Sequence, residues 1–378
     1  MKKCVVVSDS FKGTVSSREI CEIAQRVIPR HFPACEVVCI PVADGGEGTV
    51  DCFIQAMGAQ RVEVTVTNAL GEKSAAAYAR IGELAIIEMA AAAGLPQVGA
   101  LRCPGTATTY GVGELIAHAA HSGCKRILLG LGGSATNDGG CGCAAALGVG
   151  FLDADGQRFV PVGDTLGRIA RIDAAKADEL LRSVEITVMC DVTNPLYGPT
   201  GAAYVFAPQK GADAEKVKSL DAGLRHFGDV IRSQLGIDVS RMPGAGAAGG
   251  MGAGCVALLG GMIQSGIDAV LDVTGFDRQL EGADLVITGE GRIDSQSADG
   301  KVVSGVARRT KAKGVPLIAI AGGIADSAGA VYNIGVSAMF STDRAALPVD
   351  MLGARSPGDY EATLSDIMSL IAIAERFA

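Results

Sequence analysis

The sequence is poor in aromatic residues and in histidine. Among its 378 residues there are no tryptophans, 6 tyrosines, 10 phenylalanines and 4 histidines. Positive charge is also the minority, because 33 Lys and Arg face 41 Asp and Glu, for a formal net charge of −8. Nucleic-acid binding needs a basic stripe and often stacking aromatics, so the composition disfavours this class of function. Four scattered histidines and the lack of a Gly-x-Ser-x-Gly segment disfavour a Ser-His-Asp hydrolase.

Segments that would lead the chain to or through a membrane are missing too. The longest uncharged run, residues 242–267, could span a bilayer by length but contains Pro243 and many glycines. Near the N-terminus only four apolar residues, 4–7, follow the two lysines, which is too short for a signal-peptide core. The 11 cysteines include no Cys-x-x-Cys pair, so we expect packed thiols in a reducing compartment. A cytoplasmic protein is the expectation.

Glycine is the abundant residue, with 52 of 378 positions, about twice the average share of ~7%. Hydrophobic residues make up 48% and charged residues 20%, which is enough apolar surface for a packed globular chain. At roughly 150 residues per domain, this length predicts two domains. The glycines indicate many special turns.

Short apolar runs alternate with helical patterns, which is typical of parallel α/β units. Residues 61–89 differ and indicate an antiparallel meander. We therefore predict a doubly wound domain built by residues 1–61 and 283–378, with an α/β domain of mixed sheet inserted at 62–282. The predicted strands are 4–8, 36–42, 62–66, 75–80, 84–88, 126–130, 186–190, 284–288 and 316–320.

Glycine, carboxylate and hydroxyl groups follow five of these strands. Ligands of doubly wound folds bind at the carboxyl ends of strands, so five such loops predict one functional site. Helix capping and tight turns would explain any single loop, but they do not require an unpaired lysine or second carboxylates. The loops contain Asp9, Ser10 and Lys12; Asp44, Gly45 and Gly46; Gly132, Gly133, Ser134, Asn137 and Asp138; Asp191 and Asn194; and Gly289, Glu290, Gly291 and Asp294.

Phosphoryl transfer is the chemistry that uses this set. It needs backbone N–H groups for phosphates, carboxylates for Mg²⁺, a cation and a base for the attacking hydroxyl. Glycine-rich turns supply the N–H groups, and Lys12 or Lys301 supplies the cation. The carboxylates available for metal and base are Asp44, Asp191, Glu290 and Asp294.

Two other classes of function remain open from the residues alone. No Walker A segment occurs, since Gly300 and Lys301 are followed by valine, and the protein-kinase motifs are missing. A Gly-x-Gly-x-x-Ala turn at 130–135, with Asp153 and Asp155 about twenty residues on, would suit an NAD-dependent hydroxy-acid dehydrogenase. Polar residues crowd that turn and weaken this alternative. A non-catalytic sugar-acid sensor would leave the four carboxylates unexplained.

Seven segments resemble the type I glycerate kinases of bacteria. They are SDSFKG (8–13), PVADGGEGT (41–49), GLGGSATNDGG (130–140), CDVTNPL (190–196), PQKGA (208–212), PGAGAAGGMGAG (243–254) and VITGEGRIDSQS (286–297). The resemblance implies ATP- and Mg²⁺-dependent phosphorylation of D-glycerate, with 2-phosphoglycerate as the favoured product. It also implies a flavodoxin-like, Rossmann-like domain formed by both termini, with the active-site cleft between the two domains.

For glycerate and ATP as substrates, residue type and position at the predicted strand ends suggest a role for each site residue. Asp191 accepts the proton of the attacking hydroxyl, Lys12 holds the glycerate carboxylate, and Asp44 orients the other hydroxyl. Glu290 and Asp294 hold Mg²⁺. The remaining substrate-binding residues are Asp9, Ser10, Gly45, Gly46, Ser134, Asn137, Asp138 and Asn194. The nucleotide phosphates are assigned to Gly132, Gly133, Gly289, Gly291 and Lys301.

Overall fold

The computed structural model of the chain describes residues 1–11, 14–42, 48–298, 301–345, 353 and 355–377. Its strands are β1 (Lys3–Ser8), β2 (Glu36–Pro41), β3 (Gln60–Thr67), β4 (Lys73–Ile81), β5 (Leu84–Glu88), β6 (Arg126–Gly130), β7 (Gly150–Leu152), β8 (Arg158–Phe159), β9 (Arg171–Asp173), β10 (Glu185–Met189), β11 (Met262–Gln264), β12 (Leu285–Ile293), β13 (Leu317–Ile324) and β14 (Ala338–Ser341).

The helices alternate with these strands through most of the chain. They are α1 (Ser17–His31), α2 (Thr49–Met57), α3 (Ala90–Ala93), α4 (Leu95–Val98), α5 (Tyr110–His121), α6 (Cys141–Ala146), α7 (Ala175–Leu181), α8 (Ala202–Phe206), α9 (Ala214–Leu235), α10 (Ala247–Leu259), α11 (Gly266–Val273), α12 (Phe276–Gln279), α13 (Val302–Lys313), α14 (Ala330–Ile334) and α15 (Ser356–Ala374). Over the described residues, none of these helices combines the length and apolarity needed to cross a membrane.

The chain divides into two units, which are here called the first unit (Met1–Ala43 with Ile267–Ala378) and the second unit (Asp44–Gly266). The predicted domain boundaries follow residues 61 and 282, whereas the boundaries between the units follow residues 43 and 266. Packing explains the difference. Helix α2 packs against β4 and β5, and apolar side chains of α11, such as Ile267 and Leu271, join the core that contains Val5 of β1.

The first unit is a doubly wound sheet. Its strand order is β14-β13-β12-β1-β2, and every pair in it is parallel. Counted along the chain this is the order 2-1-3-4-5, which is the flavodoxin-like order and confirms the predicted fold class. The winding reverses between β1 and β12, so the ligand crevice expected for this topology lies at the carboxyl ends of those two strands.

Alternating side chains of β1 explain the three layers of the first unit. Cys4 and Val6 are fully buried on the face that α1 and α15 cover. Val5 and Val7 are fully buried on the opposite face, against α11, α13 and α14. A strand that is apolar at every position therefore signals a sheet covered on both sides. Helix α1 begins with a capping box between Ser16 and Glu19, which fixes where the chain leaves the sheet edge.

The second unit contains the mixed sheet that the sequence predicts. Its order is β11-β10-β6-β5-β4-β3, with a separate small sheet β8-β7-β9. Strands β3, β4 and β5 pair antiparallel, which confirms the meander, while β5, β6, β10 and β11 pair parallel. The register places Glu88, Gly130, Met189 and Gln264 side by side. The loops that follow these residues therefore leave the same edge of the sheet.

Candidate active site

The topological switch point of the first unit is formed by the ends of β1 and β12. Ser8 pairs with Gly289, and the N–H of Asp9 donates to Gly289 O at 2.9 Å. The hydroxyl of Ser17, at the start of α1, donates to Ser8 O at 2.7 Å and accepts from the N–H of Val42 at 3.3 Å. The end of β1, the residue after β2 and the first turn of α1 are thus held together by one serine.

Glu290 is the buried acid of this switch point. It is 8% exposed, and its Oε1 has no hydrogen-bond partner among the described residues. Its Oε2 lies 3.7 Å from Nζ of Lys301. Burial raises the pKa of Glu290, the Ser297 hydroxyl and the Lys301 ammonium oppose that rise, and the nearby carboxylates of Asp9 and Asp294 add to it. A buried carboxylate with an oxygen that no described residue uses is suited to binding a further cation.

Asp294 follows β12 directly, four positions after Glu290. Its Oδ1 accepts the N–H of Gln296 at 2.9 Å, and its own N–H donates to the Ser297 hydroxyl at 3.0 Å. Within the described ranges no three His, Cys, Asp or Glu side chains gather around a common point. Mg²⁺ usually takes one or two carboxylates and completes its shell with phosphate and water, so Glu290 and Asp294 fit a nucleotide-borne Mg²⁺.

The glycines of this region do not lie where the sequence places them. We expected Gly289 and Gly291 in a turn at a helix N-terminus, but both lie inside β12, where Gly289 pairs with Ile320 of β13. A Cβ on Gly289 would lie 2.1 Å from Ile320 O, so strand packing already requires glycine there. Their predicted position in a phosphate-binding turn is therefore wrong. Lys301 does stand at a helix N-terminus, as the N-cap of α13.

In the second unit, the predicted polar loop follows β6 and runs to the N-terminus of α6. Gly133 and Gly140 adopt positive φ values of 73° and 76°, which allow the sharp turns at both ends of the loop. Asp138 is fully buried between them. Its Oδ2 accepts from the N–H and hydroxyl of Thr109 and the N–H of Gly142, and its Oδ1 accepts from the N–H of Gly140. Asp138 thus holds the loop through hydrogen bonds within the protein.

A buried lysine that the sequence reasoning missed reaches into this loop. Lys210, on a short 3₁₀ turn at Pro208–Lys210, is 2% exposed. Its Nζ donates to Ser134 Oγ and to Thr136 O, each at 2.7 Å. Burial lowers the pKa of Lys210 to about 7, and the charge of Asp138 opposes this shift. Its place in the PQKGA segment was a signal, but a lysine beside proline and glycine suggests an exposed turn.

Asn137 is a fully buried residue of this loop and follows Thr136, whose carbonyl accepts from Lys210. Both its Oδ1 and its Nδ2 lack a hydrogen-bond partner among the residues that the structure describes. The loop cannot easily move away, because Gly249 packs against it: a Cβ there would lie 2.1 Å from Thr136 O. The three residues 248–250 all adopt left-handed backbone angles, including Ala248 at φ 52°. Strained backbone of this kind is held in place by its surroundings and often marks a functional site.

The residues after β10 are closer to solvent. Asp191 is exposed, and its Oδ1 accepts from the N–H of Gly266 at 2.8 Å. Asn194 donates from Nδ2 to Thr200 O at 2.8 Å, while Gly246 N–H donates to Asn194 O at 3.0 Å. Asn194 therefore braces its own loop, and Asp191 keeps a carboxylate at the same sheet edge as the polar loop after β6.

Four of the predicted site residues, Lys12, Asp44, Gly45 and Gly46, lie outside the described residues. Ser10 is described, and its N–H and hydroxyl donate to Asp9 Oδ1 at 2.7 and 3.4 Å. The structure adds one acid that the sequence reasoning passed over: Glu88, 8% exposed at the end of β5, accepts the N–H of Val50 in the first turn of α2. As the last residue of a predicted strand, Glu88 could have been found.

Comparison with known proteins gives one consistent answer over almost the whole chain. The sequence model of the glycerate kinase family matches residues 4–372. The chain is 45% identical over 377 residues to the glycerate kinase of Bacillus cereus, covering 99% of both chains. It is 46% identical over 343 residues to the glycerate 2-kinase of Escherichia coli K12, covering 90% of each.

A solved structure agrees with these relatives. The crystal structure of a glycerate kinase 2 from Salmonella typhimurium LT2 superposes with a TM-score of 0.87 at 39% identity, covering 99% of each chain. Fold and sequence thus agree over 99% of the chain. The chain belongs to the glycerate kinase family of enzymes.

Proposed function

We propose that the protein transfers the γ-phosphoryl group of ATP to the 2-hydroxyl of D-glycerate, giving ADP and 2-phosphoglycerate. The observation that carries this proposal is Glu290: a buried carboxylate with an unpartnered oxygen, next to Lys301, at the switch point of a flavodoxin-like sheet. Ligand phosphates and their metal are expected at that place in such a fold. The name of the Escherichia coli relative, glycerate 2-kinase, supports position 2.

The residues divide the task as follows. Glu290 and Asp294 would hold Mg²⁺, which supplies positive charge against the ATP phosphates when it is bound. Lys301, at the N-terminus of α13, neutralises phosphate charge and balances Glu290. Asp191 accepts the proton of the glycerate hydroxyl as its oxygen attacks the γ-phosphorus and the bond to the leaving ADP oxygen breaks. Ser134 and Asn137 contribute donors to an anionic group of a substrate.

Lys12 and Asp44 keep the roles predicted from their residue type and their place after predicted strands, on the glycerate carboxylate and on its other hydroxyl. Asp9 and Ser10 occupy the end of β1 and contribute polar groups beside Glu290. A kinase that consumes ATP and a small acid also fits the cytoplasmic location expected from the sequence.

Phosphorus NMR of the protein with Mg-ATP and D-glycerate tests the proposal directly. We expect ADP and a new phosphomonoester signal that is split into a doublet by the single proton on carbon 2. A triplet would place the phosphate on carbon 3 and overturn the proposed position. If no phosphomonoester forms while D-glycerate still binds, a non-catalytic sensor replaces the kinase. If NAD is added to the same mixture and becomes reduced, the result would support a dehydrogenase.

A further inference from the structure

Lys210 is a buried cation for which the mechanism above has no task. Its side chain is 2% exposed, and it lies on a turn that ends at Gly211 with a positive φ of 96°. Removing an ammonium group from water is costly unless hydrogen bonds and opposite charge compensate for it. A surface turn does not need such a residue for its own stability. The position of the ammonium group therefore indicates a role in what surrounds it.

The contacts of Lys210 fix the direction of a neighbouring proton. Its Nζ lies 2.7 Å from Ser134 Oγ and 2.7 Å from Thr136 O. A lysine ammonium can only donate hydrogen bonds, so both oxygens accept from it. The hydroxyl proton of Ser134 consequently has to be donated in another direction. Ser134 is thereby held as a hydrogen-bond donor that points away from Lys210.

Asn137 gives an independent indication of a ligand. Its side chain is fully buried, and neither its carbonyl oxygen nor its amide nitrogen has a partner in the described part of the chain. Buried amides are almost always hydrogen-bonded, so such a pair of atoms requires an explanation. The backbone here is held in place, since Gly139 N–H donates to Gly249 O at 3.0 Å. A rearrangement of the loop is therefore a poor source of the missing partner.

We propose that Lys210 is a positioning residue that holds the Ser134 hydroxyl as a donor to an anionic oxygen group of a substrate, and that the Asn137 amide of the same loop is a second donor to that group. Hydroxyl and amide donors of this kind bind carboxylates or phosphates. The inference rests on the proposed function, which brings one of each: the carboxylate of D-glycerate and the phosphates of ATP. Lys210 does not touch the ligand and acts through Ser134.

Protonation of Lys210 controls this arrangement. Burial lowers the pKa of Lys210 to about 7, and Asp138 is the titratable group whose charge acts on it within the described residues. Below that pH the ammonium donates to Ser134, and the serine proton stays available to the ligand. Above it the neutral amine has a lone pair that can accept the serine proton, and in that arrangement the donor is withdrawn from the ligand. Affinity for the anion should therefore fall as the pH rises through about 7, and anion binding should raise the pKa of Lys210.

Steady-state kinetics of Lys210→Met, Ser134→Ala and the double variant test this inference. The KM values for D-glycerate and for ATP are measured separately between pH 6 and pH 9. We expect Lys210→Met to raise one KM about 10- to 100-fold, with a smaller effect on kcat. A change in the KM for D-glycerate identifies the carboxylate, and a change in the KM for ATP identifies the phosphates. The double variant should be no worse than the worse single variant, because Lys210 acts through Ser134.

The matched control is Lys216→Met, which removes a lysine of the same unit that pairs with Asp164 at 2.8 Å. It should leave both KM values unchanged. If Lys210→Met does not fold, Ser134→Ala alone decides, because it should abolish the pH dependence of the affected KM near pH 7. Unchanged KM values, or additive effects in the double variant, would overturn the inference while the kinase remains. If the wild-type protein does not phosphorylate D-glycerate, the proposed function fails, and this inference fails with it.

Discussion

Nζ of Lys301 lies 3.7 Å from Oε2 of Glu290, so a cation at the start of α13 faces the one buried acid of the β12 segment. Lys301 is 42% exposed at its side chain, and Glu290 10%. An ion pair with one exposed partner stabilises a fold little. The Lys301 ammonium opposes the burial that raises the pKa of Glu290, so the pair favours a charged carboxylate at the proposed phosphate site.

Replacing Glu290 should make the protein more stable and less active. The raised pKa means that the folded protein resists ionisation of Glu290. The contribution of this group to the free energy of unfolding is therefore largest at low pH and falls as the pH rises above the ordinary pKa of glutamate. We expect Glu290→Gln to raise the melting temperature at pH 8 by a few degrees and less at pH 4.5. Turnover should fall by at least about 100-fold. Calorimetry and kinetics of the same preparation check both.

The exposed acid Glu281 of the same unit provides the control. Glu281→Gln should change neither the melting temperature nor the rate. A Glu290→Gln protein with normal turnover would remove this residue from the catalytic site. If its melting temperature drops at pH 8, the burial argument is wrong.

Asp191→Asn tests the general base. The asparagine keeps an oxygen to accept the Gly266 N–H, so the loop should stay in place while the proton acceptor is lost. We expect turnover to fall about 10²- to 10⁴-fold, with ATP affinity near normal. Asp238→Asn is a matched change in the same unit, since Asp238 also accepts a backbone N–H, from Ser240 at 2.9 Å. Substantial activity in Asp191→Asn would assign the base to another residue.

Asp294→Asn should raise the Mg²⁺ concentration needed for half-maximal rate. A carboxamide oxygen is a weaker ligand than a carboxylate for a hard cation, and Glu290 alone would then supply the protein charge. Rates measured over a magnesium titration at fixed ATP give the answer. Asp326→Asn, an exposed aspartate of the same unit, should leave the titration unchanged. An identical curve for Asp294→Asn would place the metal elsewhere.

Replacing two glycines of neighbouring strands by alanine should change the free energy of unfolding by very different amounts. At Gly289 a Cβ would lie 2.1 Å from Ile320 O, whereas at Gly323 in β13 nothing lies within 4 Å. We expect Gly289→Ala to cost about 1–3 kcal/mol of unfolding free energy and Gly323→Ala almost nothing. Urea denaturation of both variants measures this. Equal stabilities would contradict the close approach of β12 and β13.

A second pair of glycines tests how the loop after β6, which contains Asn137, is held in place. Gly249 and Gly260 have positive φ values of 69° and 64°, but only Gly249 has a neighbour, Thr136 O, at 2.1 Å from an added Cβ. Alanine should cost about 1–2 kcal/mol at Gly260 for its left-handed backbone. Gly249→Ala should cost more and also raise a substrate KM, because Ser134 and Asn137 move with the loop. If the two variants behave alike, the loop does not depend on Gly249.

Much of the fold follows from local patterns in the sequence. The run 126–130 coincides with β6, and the meander of 61–89 matches β3, β4 and β5, because short apolar runs that become buried strands leave a clear trace between turn residues. The end of β12 was missed for a physical reason. Glycine is normally a turn signal, yet Gly289 lies inside the strand and permits β13 to approach, and a sequence does not reveal which neighbour a strand has.

The sequence predicted the site residues that follow strands. It did not predict the residue that reaches the site from a distant segment of the chain. Glu290, Asp294 and Ser134 could be found because each follows a recognisable strand. Lys210 could not be found in this way, since its partners Ser134 and Thr136 are remote in the chain and its own surroundings resemble an exposed turn. Burial and partner identity are tertiary properties, so the charge state of this lysine had no local signal.

The pairing of β1 with β12, which joins Cys4 to Leu285, has a consequence for synthesis on the ribosome. Strand β1 emerges early, and its neighbour β12 emerges only after the whole contiguous second unit has been translated. The second unit can fold while the chain is still growing, since domains fold as units during translation. Until β12 arrives, β1 and β2 remain a two-stranded fragment with an open edge, which is the form that chaperones bind and that aggregates most readily.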